Sequence, residues 1–356
     1  MLGNSGLPAR AAKSLHVRQV TGSAQELTAE VLRLLVLYPH DEPTLLSLGI
    51  DREEMAAHLC GTLPEPGGVM LVADDGCRLK GLLYIEPMPV QSAMLNVHVW
   101  NLRLLIVAPD APPDVVDSLM GYVDKSIGAT IDFICSSIPA SDGQAIGGLQ
   151  RSGFKVVSGE AVAVMANPKH SKLRLDNVKI VPLDAAKIDE AVKVACQCRH
   201  CNPYLYDASF DPGRVCDITR HKLENALSNE DGHALVALGA DESISGVAAF
   251  SLDRALHELT SRRIATIDNL CIAAGGEPKT IERLLGRSVI GELAERKIEG
   301  VISRILMNGS PSCARVESMK KMGFEITQSN LLMQRWNNRA AMRPSPVQVF
   351  QQGVNK

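Results

Sequence analysis

Apolar and polar positions along this chain follow two periods, and the period changes at regular intervals. LHVRQV, beginning at Leu15, reads as a short strand. Over 24–37, Leu27, Val31, Leu34 and Leu35 share one face at helical spacing, which predicts an amphipathic helix. A second helix is predicted over 51–60, with Asp51 as N-cap and Glu54 completing a capping box. VMLVADDGCRLKGLLYIE sets two apolar runs either side of Asp74-Asp75-Gly76, a hairpin turn. A long strand follows over 94–107, then a helix opened by Pro112 and Pro113. A buried strand over 131–135, a short helix over 144–151 and a last strand after Gly153 and Phe154 complete the series.

Near Val178 the series starts again. VKIVPL is a strand, and helices are predicted over 185–198 and 214–227. ALVALGADESISGVAAFSL is the hairpin, with Gly246 where Gly81 stood in LKGLLYIE. A strand and helix lie within 262–297, followed by a strand over 300–307 and a helix over 312–321. Lys321-Met322-Gly323-Phe324 answers Arg151-Ser152-Gly153-Phe154. A repeat of this length means two similar domains, 15–166 and 178–336, and not a solenoid. Residues 167–177 read as a polar linker, 1–14 as a disordered leader and 337–356 as a mobile tail.

Within 262–297, Thr266, Ile267, Leu270 and Ile272 form the strand, and Gly275, Gly276 and Pro278 break it. Ile281, Leu284, Leu285, Val289 and Leu293 mark the buried face of the helix that follows. Such a turn aims the helix's first N–H groups beyond the strand end, where an anion such as pyrophosphate is stabilised.

Composition narrows the class. A chain of 356 residues, 46% hydrophobic and 22% charged, suits a globular protein of two domains. Lys+Arg number 37 against Asp+Glu 40, so nucleic acid and anionic membrane surfaces are not the expected partners. No apolar run is long enough to span a bilayer, and the leader lacks the apolar core of a secretory signal. Nine cysteines, most of them in apolar segments, suggest reduced thiols and a cytoplasmic setting. CQCRHC, with Cys196, Cys198, His200 and Cys201, keeps one C-x-x-C and no second pair, so no metal is expected.

The order of elements, with M-G-F after the last helix, resembles the GNAT N-acetyltransferase superfamily, once in each half. In the second half the resemblance rests on IDNLCIAA and ILMNGSPSCARVESMKKMGFE, where Leu270, Ile272, Asn308, Ala314, Lys321, Gly323 and Phe324 fit the family pattern. RHCNPYLYDASFDPGRVCDITRHKLENAL is similar to the acceptor region of dTDP-fucosamine acetyltransferase-like enzymes, through Arg199, Asp207, Phe210, Glu224, Asn225 and Ala226. The resemblance implies an α/β fold of two GNAT-like domains, each a mixed, mostly antiparallel sheet flanked by helices. It implies transfer of an acyl group, normally acetyl, from CoA to the amine of a small molecule such as an amino sugar nucleotide. Acetyl-CoA would be the co-substrate, and a homodimer is allowed.

The resemblance also assigns roles. Asp268 would be the base, and Cys271 would give its N–H to the oxyanion. Leu270, Ile272, Ala273, Gly275, Gly276, Lys279 and Thr280 would hold CoA, with Asn308 on its pantetheine arm. Tyr206, Asp207 and Phe210 would frame the acceptor. Three departures stand against this. The motif glycines of the pyrophosphate loop are replaced across Glu277 to Glu282, and Glu282 puts a carboxylate where the diphosphate would lie. Met319 stands where the family has a proton-donating tyrosine. In the first half, the loop over 108–113 is proline-rich and Leu149 takes the tyrosine position, so that half reads as a non-catalytic scaffold. Two rival readings follow: an inactive tandem binding or assembly module, and an acyltransferase taking a long-chain or carrier-protein donor.

Overall fold

The computed structural model describes residues 15–20, 28–36, 42–54, 56, 63, 66–169, 178–198, 202–273, 278–307 and 310–337. The first half runs β1 (His16–Gln19), α1 (Thr28–Val36), α2 (Glu42–Ser47), β2 (Val69–Asp74), β3 (Leu79–Pro87), α3 (Pro89–Leu95), β4 (Val99–Val107), α4 (Val115–Ser126), β5 (Phe133–Pro139), α5 (Gly143–Arg151) and β6 (Lys155–Ala166). The second half repeats it: β7 (Lys179–Pro182), α6 (Ile188–Gln197), α7 (Pro212–Ser228), β8 (Gly232–Leu238), β9 (Ile244–Leu252), α8 (Arg254–Thr260), β10 (Ile264–Ile272), α9 (Pro278–Glu295), β11 (Gly300–Met307), α10 (Ser310–Lys321) and β12 (Glu325–Trp336).

The strands form one continuous sheet of 12, ordered β1-β2-β3-β4-β5-β12-β6-β11-β10-β9-β8-β7. The two last strands have changed places. β12, from the second half, lies against β5, and β6, from the first half, lies against β11. β6 and β12 pair antiparallel at the centre, with Glu160 opposite Asn330. These residues are equivalent in the repeat, six beyond Phe154 and Phe324, so a pseudo-twofold axis passes between them.

Each half has one parallel pair, β4–β5 and β10–β11, joined by the crossover helices α4 and α9. α4 and α5 cover one face of the sheet beside β12, and α9 and α10 cover the same face beside β6. The opposite face takes α1 in the first half and α6 and α7 in the second. The two glycine–phenylalanine pairs are helix stops. Gly153 has φ 89° and Gly323 has φ 101°, a region that favours glycine. Phe154 N–H then bonds Leu149 O and Phe324 N–H bonds Met319 O, closing each helix.

Three sequence expectations change. The strand expected over 94–107 begins only at Val99, because Pro89 opens the helix α3, which ends on Asn96 in a left-handed conformation. α8, capped by the Asp253 carboxylate, is its counterpart and has the same weak signal. Cys196 and Cys216 form a disulfide between α6 and α7, although thiols were expected throughout. Residues 52–54 and 56 of the helix expected over 51–60 are helical, and 55 and 57–60 lie outside the described residues, as do the leader and all but the first residue of the tail. Among the described residues no helix is long and apolar enough to cross a membrane.

Candidate functional site

β10 and β11 pair only from Ile264–Gly300 to Ile267–Ser303, yet β10 continues to Ile272 and β11 to Met307. Past that ladder the two strands part, and the gap is a wedge opening at their C-terminal ends. A cavity of about 210 Å³ occupies it, with Asp268, Asn269, Lys222, Arg304, Arg315 and Glu160 among its walls.

Asp268 is a β-bulge. The β9–β10 register steps from Ile267 directly to Asn269, which leaves Asp268 without an opposing residue and turns its side chain into the wedge. Asp268 Oδ2 accepts a hydrogen bond from Ser251 Oγ at 3.1 Å. Asp268 is exposed to the open wedge, and partial desolvation by the surrounding protein raises its pKa above the ordinary carboxylate value. The Lys222 ammonium and the Ser251 hydroxyl oppose the rise, and Asp253 adds to it. A carboxylate tuned upward in a cleft is a better proton acceptor than an ordinary one.

Asn269 is 4% exposed, and its Nδ2 has no hydrogen-bond partner. Leaving a buried amide unpaired costs about 1–3 kcal/mol. Glu160 reaches the same cavity from the exchanged strand β6. Its Oε2 accepts from Asn330 Nδ2 at 3.1 Å, Arg304 at 3.2 Å and Ser137 Oγ at 3.3 Å.

Strand parity fixes which amides face the wedge. Ala273 N–H bonds Ser245 O on the β9 side. Cys271, two residues back, points its N–H the same way, whereas Leu270 and Ile272 turn theirs toward the wedge. Leu270 O confirms this, since it accepts from Arg315 of α10. Arg315 also lies 3.8 Å from Glu282 of α9, so an ion pair stands across the wedge at Leu270.

Comparison with known proteins found no matching family model and no matching curated protein. Solved structures do match. A GCN5-related N-acetyltransferase from Sphaerobacter thermophilus superposes with TM-score 0.58 at 13% identity, over 90% of this chain and 95% of that one. A tandem GNAT protein from the clavulanic acid biosynthesis pathway gives 0.51 at 10% identity, over 91% and 99%. A glucosamine N-acetyltransferase region in a fungal multi-domain GH3 β-N-acetylglucosaminidase gives 0.55 at 13% identity, over 91% of this chain and 38% of that one. The chain has a tandem GNAT fold.

The two GNAT halves can now be compared position by position. In the first, β4 and β5 pair from Val99–Phe133 to Leu102–Ser136 and then part in the same way. The bulge recurs there at Arg103, skipped between Leu102 and Leu104. Arg103 is held by Glu86 at 3.4 Å, so the base position of that wedge carries a cation. Leu104, 1% exposed, stands where Asn269 stands. Cys135, near this wedge, has its thiol pushed up to about 11 by burial and is no nucleophile.

Of the residues expected to act in the second half, Asp268 and Leu270 line the wedge cavity, and Ile272 ends the same strand. Cys271 does not serve as written: its N–H faces β9, and its buried side chain packs with Ala191, Val192 and Leu223. Ala273 N–H is committed to Ser245. Lys279 and Thr280 begin α9, with Lys279 exposed. Gly275, Gly276 and Asn308 lie outside the described residues, as does the side chain of Tyr206. Asp207 and Phe210 do not line the wedge cavity. Asp207 Oδ2 accepts from Trp336 Nε1 at 2.6 Å, and Oδ1 from Ser209 N–H at 2.9 Å. Phe210, 5% exposed, packs against Phe133, Tyr204 and Trp336 with centroids 4.9–5.5 Å apart. These aromatics tie the loop over 202–210 to β5 and β12. Met319, like Leu149, is core. Among the described residues no group of three His, Cys, Asp or Glu could hold a metal ion.

Asn269, Glu160, Lys222, Arg304 and Arg315 were not picked out from sequence. Two left a trace there. Asn269 and Glu160 are polar residues inside otherwise apolar strands, IDNLCI and GEAVAV.

Proposed function

We infer that the chain transfers an acyl group from a thioester donor to the amine of a small molecule, in the second wedge. The observation that carries this reading is the bulged Asp268, raised in pKa and aimed into a cavity between parted strands. The first half repeats the geometry without the carboxylate.

Asp268 takes a proton from the acceptor's ammonium, which frees a nitrogen lone pair. That pair attacks the thioester carbonyl carbon, and the oxygen gains negative charge facing the wedge-side N–H groups of Leu270 and Ile272. The C–S bond then breaks and its electrons leave on sulfur. A second proton passes from nitrogen through water to the thiolate, giving an amide and a thiol, and Asp268 returns its proton to solvent. A thiol of pKa near ~8.5 leaves without a dedicated acid, so Met319 in the core is tolerated. Acetyl-CoA is the proposed donor, entering from the α9 and α10 side. An amino sugar nucleotide as acceptor loses the support of Asp207 and Phe210, whose polar and aromatic groups are engaged elsewhere.

The ion pair of Glu282 and Arg315 across the wedge favours a second reading, an inactive binding or assembly module. Thermal unfolding with CoA, acetyl-CoA and long-chain acyl-CoA separates the two. A ligand at a hundred times its dissociation constant adds ~2.7 kcal/mol to stability. Under the acyl-transfer reading acetyl-CoA protects the wild type, thiol is released when amines are added, and Asp268→Asn keeps the protection but loses the release. No protection by any thioester and no thiol release leaves the module reading. Protection by the long-chain compound alone moves the donor to a long acyl chain.

A further inference from the structure

The two wedges share a fold and differ in their polar groups, so each serves as a control for the other. At successive positions of the parted strand the first half carries Arg103 and Leu104, and the second carries Asp268 and Asn269. Leu104 is fully at home in its core, so the fold does not require an asparagine there. Asn269 nonetheless holds a buried, unpartnered amide in the wall of the cavity. It shares its strand face with Cys271, which packs toward α6 and α7. Lys222 enters the same cavity from α7.

On that side the wedge offers one proton acceptor, Asp268, and two donors beside it, the Asn269 amide and the Lys222 ammonium. Asp268 and Asn269 are consecutive in β10, and both line the cavity with Lys222. Glu160 and Arg304 on the far wall satisfy each other and add no net charge. The cavity, about 210 Å³, is smaller than the ~300–1,000 Å³ of pockets for drug-sized ligands.

We propose that the acceptor is a small α-amino acid, its amine on Asp268 and its carboxylate held by Asn269 and Lys222. This rests on the acyl-transfer reading for the reaction but not for the binding, and the two are tested apart. The whole chain is melted with glycine, L-alanine and L-phenylalanine, and with methylamine, ethylamine and phenethylamine, which lack only the carboxylate. Glucosamine is the sugar arm.

At least one amino acid should protect at a concentration tenfold or more below its decarboxylated partner and below glucosamine. That preference should collapse toward unity in Asn269→Leu, which copies the first half, and in Lys222→Gln, at an exposed position. Loss of a hydrogen bond to a charged group corresponds to roughly 10- to 100-fold. Equal or better protection by the bare amines or by glucosamine overturns the proposal, as does no protection by any amino acid. An unchanged preference in both variants also overturns it. Amino-acid protection without thiol release from acetyl-CoA keeps the binding site and removes the acyl transfer.

Discussion

Replacing Glu160 by leucine tests the pairing of the two last strands at the centre of the sheet. Glu160 and Asn330 are 7% and 3% exposed, and their contact crosses from the first half to the second. Removing the carboxylate strands Asn330 Nδ2 in a buried place, which costs about 1–3 kcal/mol. Arg304 contributes less, about 0–1 kcal/mol, because its side chain is 38% exposed and can turn to water. Ser137 can rotate its hydroxyl to another acceptor. The apolar leucine offsets part of the loss, so a net destabilisation of about 1–3 kcal/mol is expected. Asn330→Leu alone leaves Glu160 its bonds to Arg304 and Ser137 and should cost less, about 0.5–1.5 kcal/mol. The double variant puts leucine against leucine on the pseudo-axis, and its loss should fall short of the sum by about 1–2 kcal/mol. Urea unfolding followed by two probes gives the four stabilities, provided the transitions coincide. A coupling below about 0.3 kcal/mol would refute the β6–β12 register that sets Glu160 opposite Asn330.

Two further outcomes follow. Because burial raises the pKa of Asp268, the folded state holds that proton more tightly than the unfolded chain. The resulting stabilisation is complete below the ordinary carboxylate value near ~3.9 and is lost as pH rises through the raised value. Asp268→Asn should thus melt above the wild type at pH 7 and lose that advantage toward pH 4; an advantage independent of pH would contradict the desolvation of Asp268. Gly81 lies so close under α4 that an added Cβ would meet Val115 Cγ2 at 2.9 Å. Gly81→Ala should destabilise by about 1–3 kcal/mol in denaturant melts, and a neutral effect would mean that α4 sits farther from the sheet.

Much of this architecture was legible because the repeat doubled every weak signal. The hairpins, the crossover helices and the glycine–phenylalanine stops each occurred twice, and each is a local matter of turn chemistry and periodicity. The exchange of β6 and β12 was not legible. A strand's pattern fixes which face is buried, but not which of two equivalent neighbours it lies beside. The helices α3 and α8 were missed because seven residues between apolar strands hold too few turns to show a helical period. Asp268 could be named from the family resemblance. The partners of Asp207 could not, since Trp336 is brought to it only by the exchanged strand.

That exchange also decides what the two halves can do separately. The wedge between β10 and β11 takes Glu160 from β6, and the first half's β5 is completed by β12. Neither half closes its own sheet, so the scaffold half cannot be lost without removing a wall of the second wedge. Positions shared by the halves (the bulge, the parted strands, the core residues Leu149 and Met319) are what this sheet needs in order to form. Among the many positions that differ are Arg103 against Asp268, Leu104 against Asn269 and Ser137 against Arg304, and in the second half these three line one cavity. In the second half they include a buried amide with no partner at the wall of the opening, whereas Leu104 leaves the first half no such group to satisfy.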